Sequence, residues 1–174
     1  RDERTWALVA ADELAIESLE PLDRTVPLAR VRWNASIEGG FDVPPGVVRD
    51  LAATLAAAEC AGVAGWCLET AVEYAKVREQ FGVPIGSFQA IKHLCAGMLC
   101  RVESVRALAW DAALAAESGD EFPLAAALAA SVALDAAVET AKDCIQVLGG
   151  IGFTWEHDAH FYLRRATALR QLLG

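Results

Sequence analysis

From residue 47 to residue 112 apolar side chains recur at steps of three and four, interrupted once, and no β-sheet accommodates that spacing. Val48, Leu51, Leu55, Ala58, Gly62, Gly65, Leu68, Val72 and Ala75 make the first series. It predicts one continuous helix with a stripe at a mean step of about 3.5 residues, as in a bundle seam. Phe88, Ile91, Leu94, Met98, Val102, Val105, Leu108 and Ala112 repeat the pattern and predict a second helix over about 87–117, with Ser87 offering an N-cap oxygen. Between them stands Arg78-Glu79-Gln80-Phe81-Gly82-Val83-Pro84-Ile85-Gly86-Ser87-Phe88-Gln89, where Gly82, Pro84 and Gly86 stop one helix and permit a sharp reversal. Gly62 and Gly65 would each cost about 1 kcal/mol in a solvated helix, which predicts close approach of another backbone there. Trp66 needs a partner for its indole or a place at an interface.

Glu117-Ser118-Gly119-Asp120-Glu121 ends the second helix, and Pro123 suits the first turn of an alanine-rich third that ends at Gly149-Gly150. Thr154 is placed to cap a fourth helix with Glu156 and Asp158 in its first turn and Tyr162, Leu163, Ala166, Leu169 and Leu173 on its buried face. Upstream, residues 5–10, 14–19 and 26–33 carry short apolar and β-branched runs, the last alternating Val31 and Trp33 with Arg30 and Arg32 as a half-buried strand does. Residues 37–46, rich in Gly and Pro, read as an irregular linker. The expected fold is therefore mainly α: an up-and-down four-helix bundle over 47–174, preceded by a few strands over 1–36 from an incomplete β domain. Arg1-Asp2-Glu3-Arg4, with no initiator Met and no signal segment, reads as a cut.

A net charge of −9 argues against nucleic acid as a partner. Glu59, Glu69 and Glu73 in the first helix, and Glu139, Lys142 and Asp143 in the third, predict that no apolar run reaches the length of a membrane span. Five cysteines in no paired spacing (Cys60, Cys67, Cys95, Cys100, Cys144) predict reduced core thiols in a cytoplasmic protein. His157 and His160 stand one helical step apart, yet no third metal ligand is visible, and no Ser-His-Asp or Cys-His set stands out. Gly149-Gly150-Ile151-Gly152 follows no strand and is no phosphate loop of the βαβ type; it either terminates a helix or lets a planar or phosphorylated group approach the backbone. Arg78 and Gln89 likewise have two readings: a fork and a carboxamide for phosphate oxygens and ring edges, or a helix C-cap and a solvated polar face.

Arg78, Phe81, Gly82, Ile85, Phe88 and Gln89 resemble the Arg-x-x-Phe-Gly-x-x-Ile-x-x-Phe-Gln signature of the acyl-CoA dehydrogenase family, and residues 146–154 resemble its second signature. Asp23-Arg24-Thr25 resembles the step before the last strand of that family's β domain. The resemblance covers the C-terminal half of a typical member and implies FAD as cofactor. Arg78, Phe81 and Gln89 would contact FAD held mainly by a neighbouring subunit, and Gln146, Gly149 and Gly150 would line the same cofactor. The implied reaction is α,β-dehydrogenation of an acyl-CoA, with an electron-transferring flavoprotein as oxidant. The family's catalytic carboxylate falls on Leu173 when Arg164-Arg165-Ala166 is set on the Arg-Asp-Ala step, and its alternative position falls on Ala52. Neither residue accepts a proton. Glu59 lies two turns beyond Ala52, about 10 Å away, and reads as structural. This pattern resembles the base-deficient subunit of heteromeric members, including those acting on steroid side-chain CoA thioesters, and implies an α2β2 assembly with a related subunit. A helical interaction module without cofactor, associating with itself or a partner through its seams, is the rival from another class. A homotetrameric enzyme with an unusual base ranks last.

Overall fold

The computed structural model describes residues 5–33, 40–119 and 121–174; the expectations for residues 1–4, 34–39 and 120 lie outside them. The elements run β1 (Thr5–Trp6), β2 (Ala15–Leu19), β3 (Leu28–Arg32), β4 (Phe41–Asp42), α1 (Val47–Val77), β5 (Glu79–Gln80), β6 (Val83–Pro84), α2 (Gln89–Ser118), α3 (Phe122–Leu148) and α4 (Ala159–Leu173). Three antiparallel pairs form, β1 with β4, β2 with β3 and β5 with β6. The expected linker is thus not wholly irregular, because Phe41 and Asp42 pair with Trp6 and Thr5. Of the run 5–10 only Thr5–Trp6 is strand. The β2–β3 hairpin is exposed on both faces rather than half-buried, since two strands alone present nothing to cover them.

The four helices pack as an up-and-down bundle. α1 and α3 form the central pair, α2 lies against both, and α4 lies mainly on α3 and touches α1. Small residues make the central contact. Ala57, Cys60, Ala64, Cys67 and Ala71 of α1 are fully buried, as are Ala126, Ala129, Ala133, Ala137, Thr140 and Ala141 of α3. The expected α1 stripe is therefore corrected in its first half: Leu51 and Leu55 are 45% and 70% exposed. Alanine permits two backbones to approach closely where leucine holds them apart, so the small face turned inward. Gly62 and Gly65 do not mark backbone contact either. A Cβ at Gly62 would meet open space, and at Gly65 it would meet only the Arg106 guanidinium. Along α2 the expected stripe holds, with Met98, Val102, Val105 and Ala112 fully buried.

Two expected caps do not form. Ser87 Oγ donates to the Pro84 carbonyl at 2.7 Å, and Thr154 Oγ1 donates to the Ile151 carbonyl at 2.8 Å. Thr154 closes a 3-10 turn over Gly149–Phe153, and α4 begins only at Ala159. Glu156 and Asp158 consequently precede the helix.

Two helical stretches, Val47–Val77 and Phe122–Phe153, do contain 18-residue windows of mean hydropathy 1.5 with no more than two charges. By length and composition they could cross a membrane, contrary to the expectation drawn from their charges. In the fold 44% and 56% of those windows are buried within the bundle.

Candidate functional site

The α1–α2 corner is built from the backbone outward. Arg78 ends α1 in extended conformation, its N–H bonded to the Tyr74 carbonyl at 2.9 Å. β5 and β6 then make a minimal hairpin whose two central residues, Phe81 and Gly82, have φ of 55° and 78°. That pair of left-handed residues matches the twist of a tight hairpin. The Ile85 N–H closes the loop on the Arg78 carbonyl at 2.7 Å. Gly86 then passes so close to α1 that a Cβ there would sit 2.9 Å from the Ala75 carbonyl oxygen. Gln89 opens α2. The corner thus presents Arg78 and Gln89, both exposed, and Phe81, 94% exposed and edge-on to Phe88 with centroids 6.1 Å apart. Arg78 has no ion-pair partner among the described residues.

The helix directions bring the α3–α4 connection to the same end of the bundle. There Gln146 is exposed on the last turn of α3, and Gly149 caps that helix with φ 63°. A Cβ at Gly149 or at Gly150 would meet nothing within 4 Å. A guanidinium and two carboxamides, all without partners among the described residues, and an open glycine turn at one end fit a phosphate-bearing cofactor such as FAD.

Leu173 and Ala52 lie at the opposite end. Leu173, 43% exposed rather than buried, lines a cleft of about 630 Å³ with Asp50, Ala53, Leu134, Asp135 and Arg170. Neither carboxylate in it is unpaired: Arg49 holds Asp50 at 3.2 Å and Arg170 holds Asp135 at 3.4 Å.

Glu59 is engaged elsewhere. Its two oxygens accept from Nε and Nη2 of Arg165 at 2.5 and 2.8 Å, while Nη1 donates to Asp23 at 3.0 Å. One arginine on α4 therefore ties α1 to the turn between β2 and β3. Burial pushes the Asp23 carboxyl up, but hydrogen bonds from Thr25 and Arg165 outweigh it and hold it below the usual carboxylate range. Hydrogen bonding to Glu59 raises Arg165 further, so the guanidinium stays charged. This latch was not legible in sequence, because its members lie 106 and 142 residues apart.

His157 and His160 have separate surroundings. His157 Nδ1 accepts from the Ala159 N–H at 3.1 Å, and its ring lies edge-on to Trp66, which stacks on Tyr162 at 3.7 Å. His160 lies between Trp155 and Phe161. Among the described residues no three metal-ligating side chains cluster. Cys60, Cys67 and Cys144 are buried free thiols, whereas Cys95 is half-buried and Cys100 is exposed rather than in the core.

A family model for the acyl-CoA dehydrogenase C-terminal domain matches residues 46–174. The chain belongs to the acyl-CoA dehydrogenase family. It is 58% identical over 173 residues to acyl-CoA dehydrogenase FadE34 of Mycobacterium tuberculosis, an alignment covering 97% of this chain and 24% of that protein. Among solved structures it resembles the Tcur3481–Tcur3483 steroid ACAD with a TM-score of 0.86 and 29% identity, over 98% of this chain and 47% of that one. It also resembles the ChsE4–ChsE5 complex from Mycobacterium tuberculosis, with a TM-score of 0.84 and 26% identity, over 93% and 45%. The chain thus spans a quarter of the FadE34 length and under half of either structure's chain. As an acyl-CoA dehydrogenase C-terminal domain it supplies the helical bundle, and the two motif regions fall on its two same-end connections.

Proposed function

We infer that this chain contributes FAD contacts to a flavin-dependent acyl-CoA dehydrogenase and lacks a catalytic base of its own. Bound FAD supplies the two-electron oxidation that α,β-dehydrogenation of an acyl-CoA requires. The chain's own residues bind and orient: Arg78 offers its fork to the pyrophosphate, Gln89 and Gln146 offer carboxamides, Phe81 offers a ring face, and Gly149 and Gly150 leave the backbone open to approach. Proton abstraction needs an unpaired carboxylate within reach of the α carbon. The observation that carries the reading is the cleft beside Leu173, where Asp50 and Asp135 are each held by an arginine. The base then comes from a related subunit in an α2β2 assembly, located in the cytoplasm and reoxidised by an electron-transferring flavoprotein. Relatives whose names mention a steroid ACAD and a two-protein complex support that assembly and a steroid-type acyl group.

The test is a visible absorption spectrum of the purified chain, alone and co-expressed with a related subunit. Flavin absorbance that needs the second subunit supports shared FAD. Absence of flavin in both, with helical far-UV circular dichroism intact, favours the interaction module instead, for which the exposed Leu55, Trp110 and Leu114 supply an apolar surface. Turnover by the isolated Leu173→Glu variant would refute the need for a partner.

A further inference from the structure

Across the outer side of α1 and α2 runs an apolar face that neither the corner nor the cleft uses. Leu51 and Leu55 stand on α1, Trp110 and Leu114 on α2, exposed by 45, 70, 71 and 62%. Between the helices lies a groove of about 350 Å³ lined by Ala58, Ala61, Ala109 and Ala113, with Trp110 and Arg106 beside them. One turn along α1 a Cβ at Gly62 would meet open space.

Area, charge and shape bear on what covers this face. With the alanines, the four large side chains expose on the order of 500 Å² of apolar surface in one place. That matches the largest patch of an ordinary monomer, about 300–600 Å². It also matches the apolar share of one side of a standard interface, about 60% of about 800 Å². The chain carries a net charge of −9, so two copies repel wherever their acidic surfaces meet. At the groove the charge cancels within the chain, because Arg106 donates to Glu103 at 2.9 Å. A projecting indole and a groove stand side by side, as a twofold contact requires, since each copy must supply both. Gln89 and Trp110 stand 21 positions apart on α2, about 30 Å, so the face is clear of the flavin corner. Joining two pairs of unlike subunits into α2β2 takes a contact beyond the one that shares FAD.

We propose that this face joins two copies of the chain about a twofold axis, each Trp110 lying in the groove of the other. Leu55 and Leu114 close over the contact, and the Glu103–Arg106 pair stays at its wet rim. The proposal rests on the flavin reading only for the two-plus-two stoichiometry; in an interaction module the same face does the joining.

Sedimentation equilibrium of the full chain, alone and co-expressed with a related subunit, tests it. A monomer–dimer equilibrium is expected alone, and a 2:2 complex with the subunit. Trp110→Ala should weaken the dimer about thirtyfold and reduce the complex to 1:1 with its flavin absorbance kept. Ala113→Trp, which fills the groove, should do the same, whereas Leu128→Ala, at an exposed leucine of α3, should not. Positions 110 and 113 are both exposed, and far-UV circular dichroism checks that the bundle is intact. A dimer of unchanged strength in both variants overturns the proposal, as does a chain that is monomeric alone and 1:1 with the subunit. Separation of the unlike subunits by Trp110→Ala assigns the face to the related subunit and likewise overturns it. A 2:2 complex without flavin that falls to 1:1 on Trp110→Ala leaves the face standing and removes the flavin reading.

Discussion

Replacing Arg165 with methionine should loosen the attachment of the β2–β3 hairpin far more than it weakens the bundle. The side chain is 20% exposed and serves two carboxylates of unequal burial, Asp23 at 4% and Glu59 at 41%. Glu59 is largely hydrated once released, so its share is that of a surface pair, about 0.5–1 kcal/mol. Asp23 is left as a shielded carboxylate with only its bonds from Thr25, and stranding such a group costs about 1–3 kcal/mol. Together they give about 1.5–4 kcal/mol, centred below the full cost of breaking a buried pair because Arg165 itself is partly wet. The chain can avoid the Asp23 share by letting the hairpin swing away, so the loss should divide between two assays. Hydrogen exchange over residues 15–32 should speed up, while the urea midpoint of the helical signal falls by no more than about 1 M. Glu59→Gln should cost under about 1 kcal/mol, and a double-mutant cycle between Asp23→Asn and Arg165→Met should show coupling. The reasoning fails if Arg165→Met leaves both assays unchanged, or if Glu59→Gln costs as much as Arg165→Met.

Acid should act at the same place. The Asp23 carboxyl is held below its ordinary value, so its contribution is fully present at neutral pH and disappears as pH falls through its folded value, below about 4; protection of amides 15–32 relative to their intrinsic exchange rate, measured from pH 7 to 3, should fall there before the helices melt. Gly86→Ala puts a methyl 2.9 Å from a backbone oxygen that cannot move away, and should cost about 1–3 kcal/mol in thermal or urea melts, whereas Gly62→Ala, facing open space, should be neutral or stabilising. Thiol reagents should modify Cys100 first and Cys95 more slowly. Cys60, pushed up to about 12 by burial, and the fully buried Cys67 and Cys144 should react only after unfolding; early modification of either α1 cysteine would refute the packing of α1 on α3.

The sequence revealed α2 well because its core positions are large: Met98, Val102 and Val105 stand out from their polar neighbours. It misled on α1 because hydrophobicity and burial separate when two helices meet through alanine and cysteine. Leu51 and Leu55 attract the eye, yet Ala57 and Cys60 go inside, since closeness of approach rewards small volume. The α3–α4 connection departs from its expected form for a related reason. Thr154 has the right chemistry for an N-cap, but its hydroxyl satisfies the preceding turn, and nothing in the local pattern distinguishes the two uses. The corner residues Arg78, Phe81 and Gln89 were found through a motif; periodicity placed the turn but not its hairpin, which depends on Phe81 accepting positive φ.

α1 runs unbroken from Val47 to Val77. Ala52 and Arg78 stand 26 positions apart on it or at its end, about 39 Å at the rise of an α-helix. No side chain covers such a span, so a cofactor held at Arg78 would be a different molecule from one reacting beside Leu173 and Ala52. On the proposed reading this chain lends its corner to a centre whose base lies in the related subunit's cleft, and a defect at that corner damages chemistry carried out at its neighbour. A change confined to this chain's own cleft, at Leu173 or Ala52, would then leave that centre's chemistry intact.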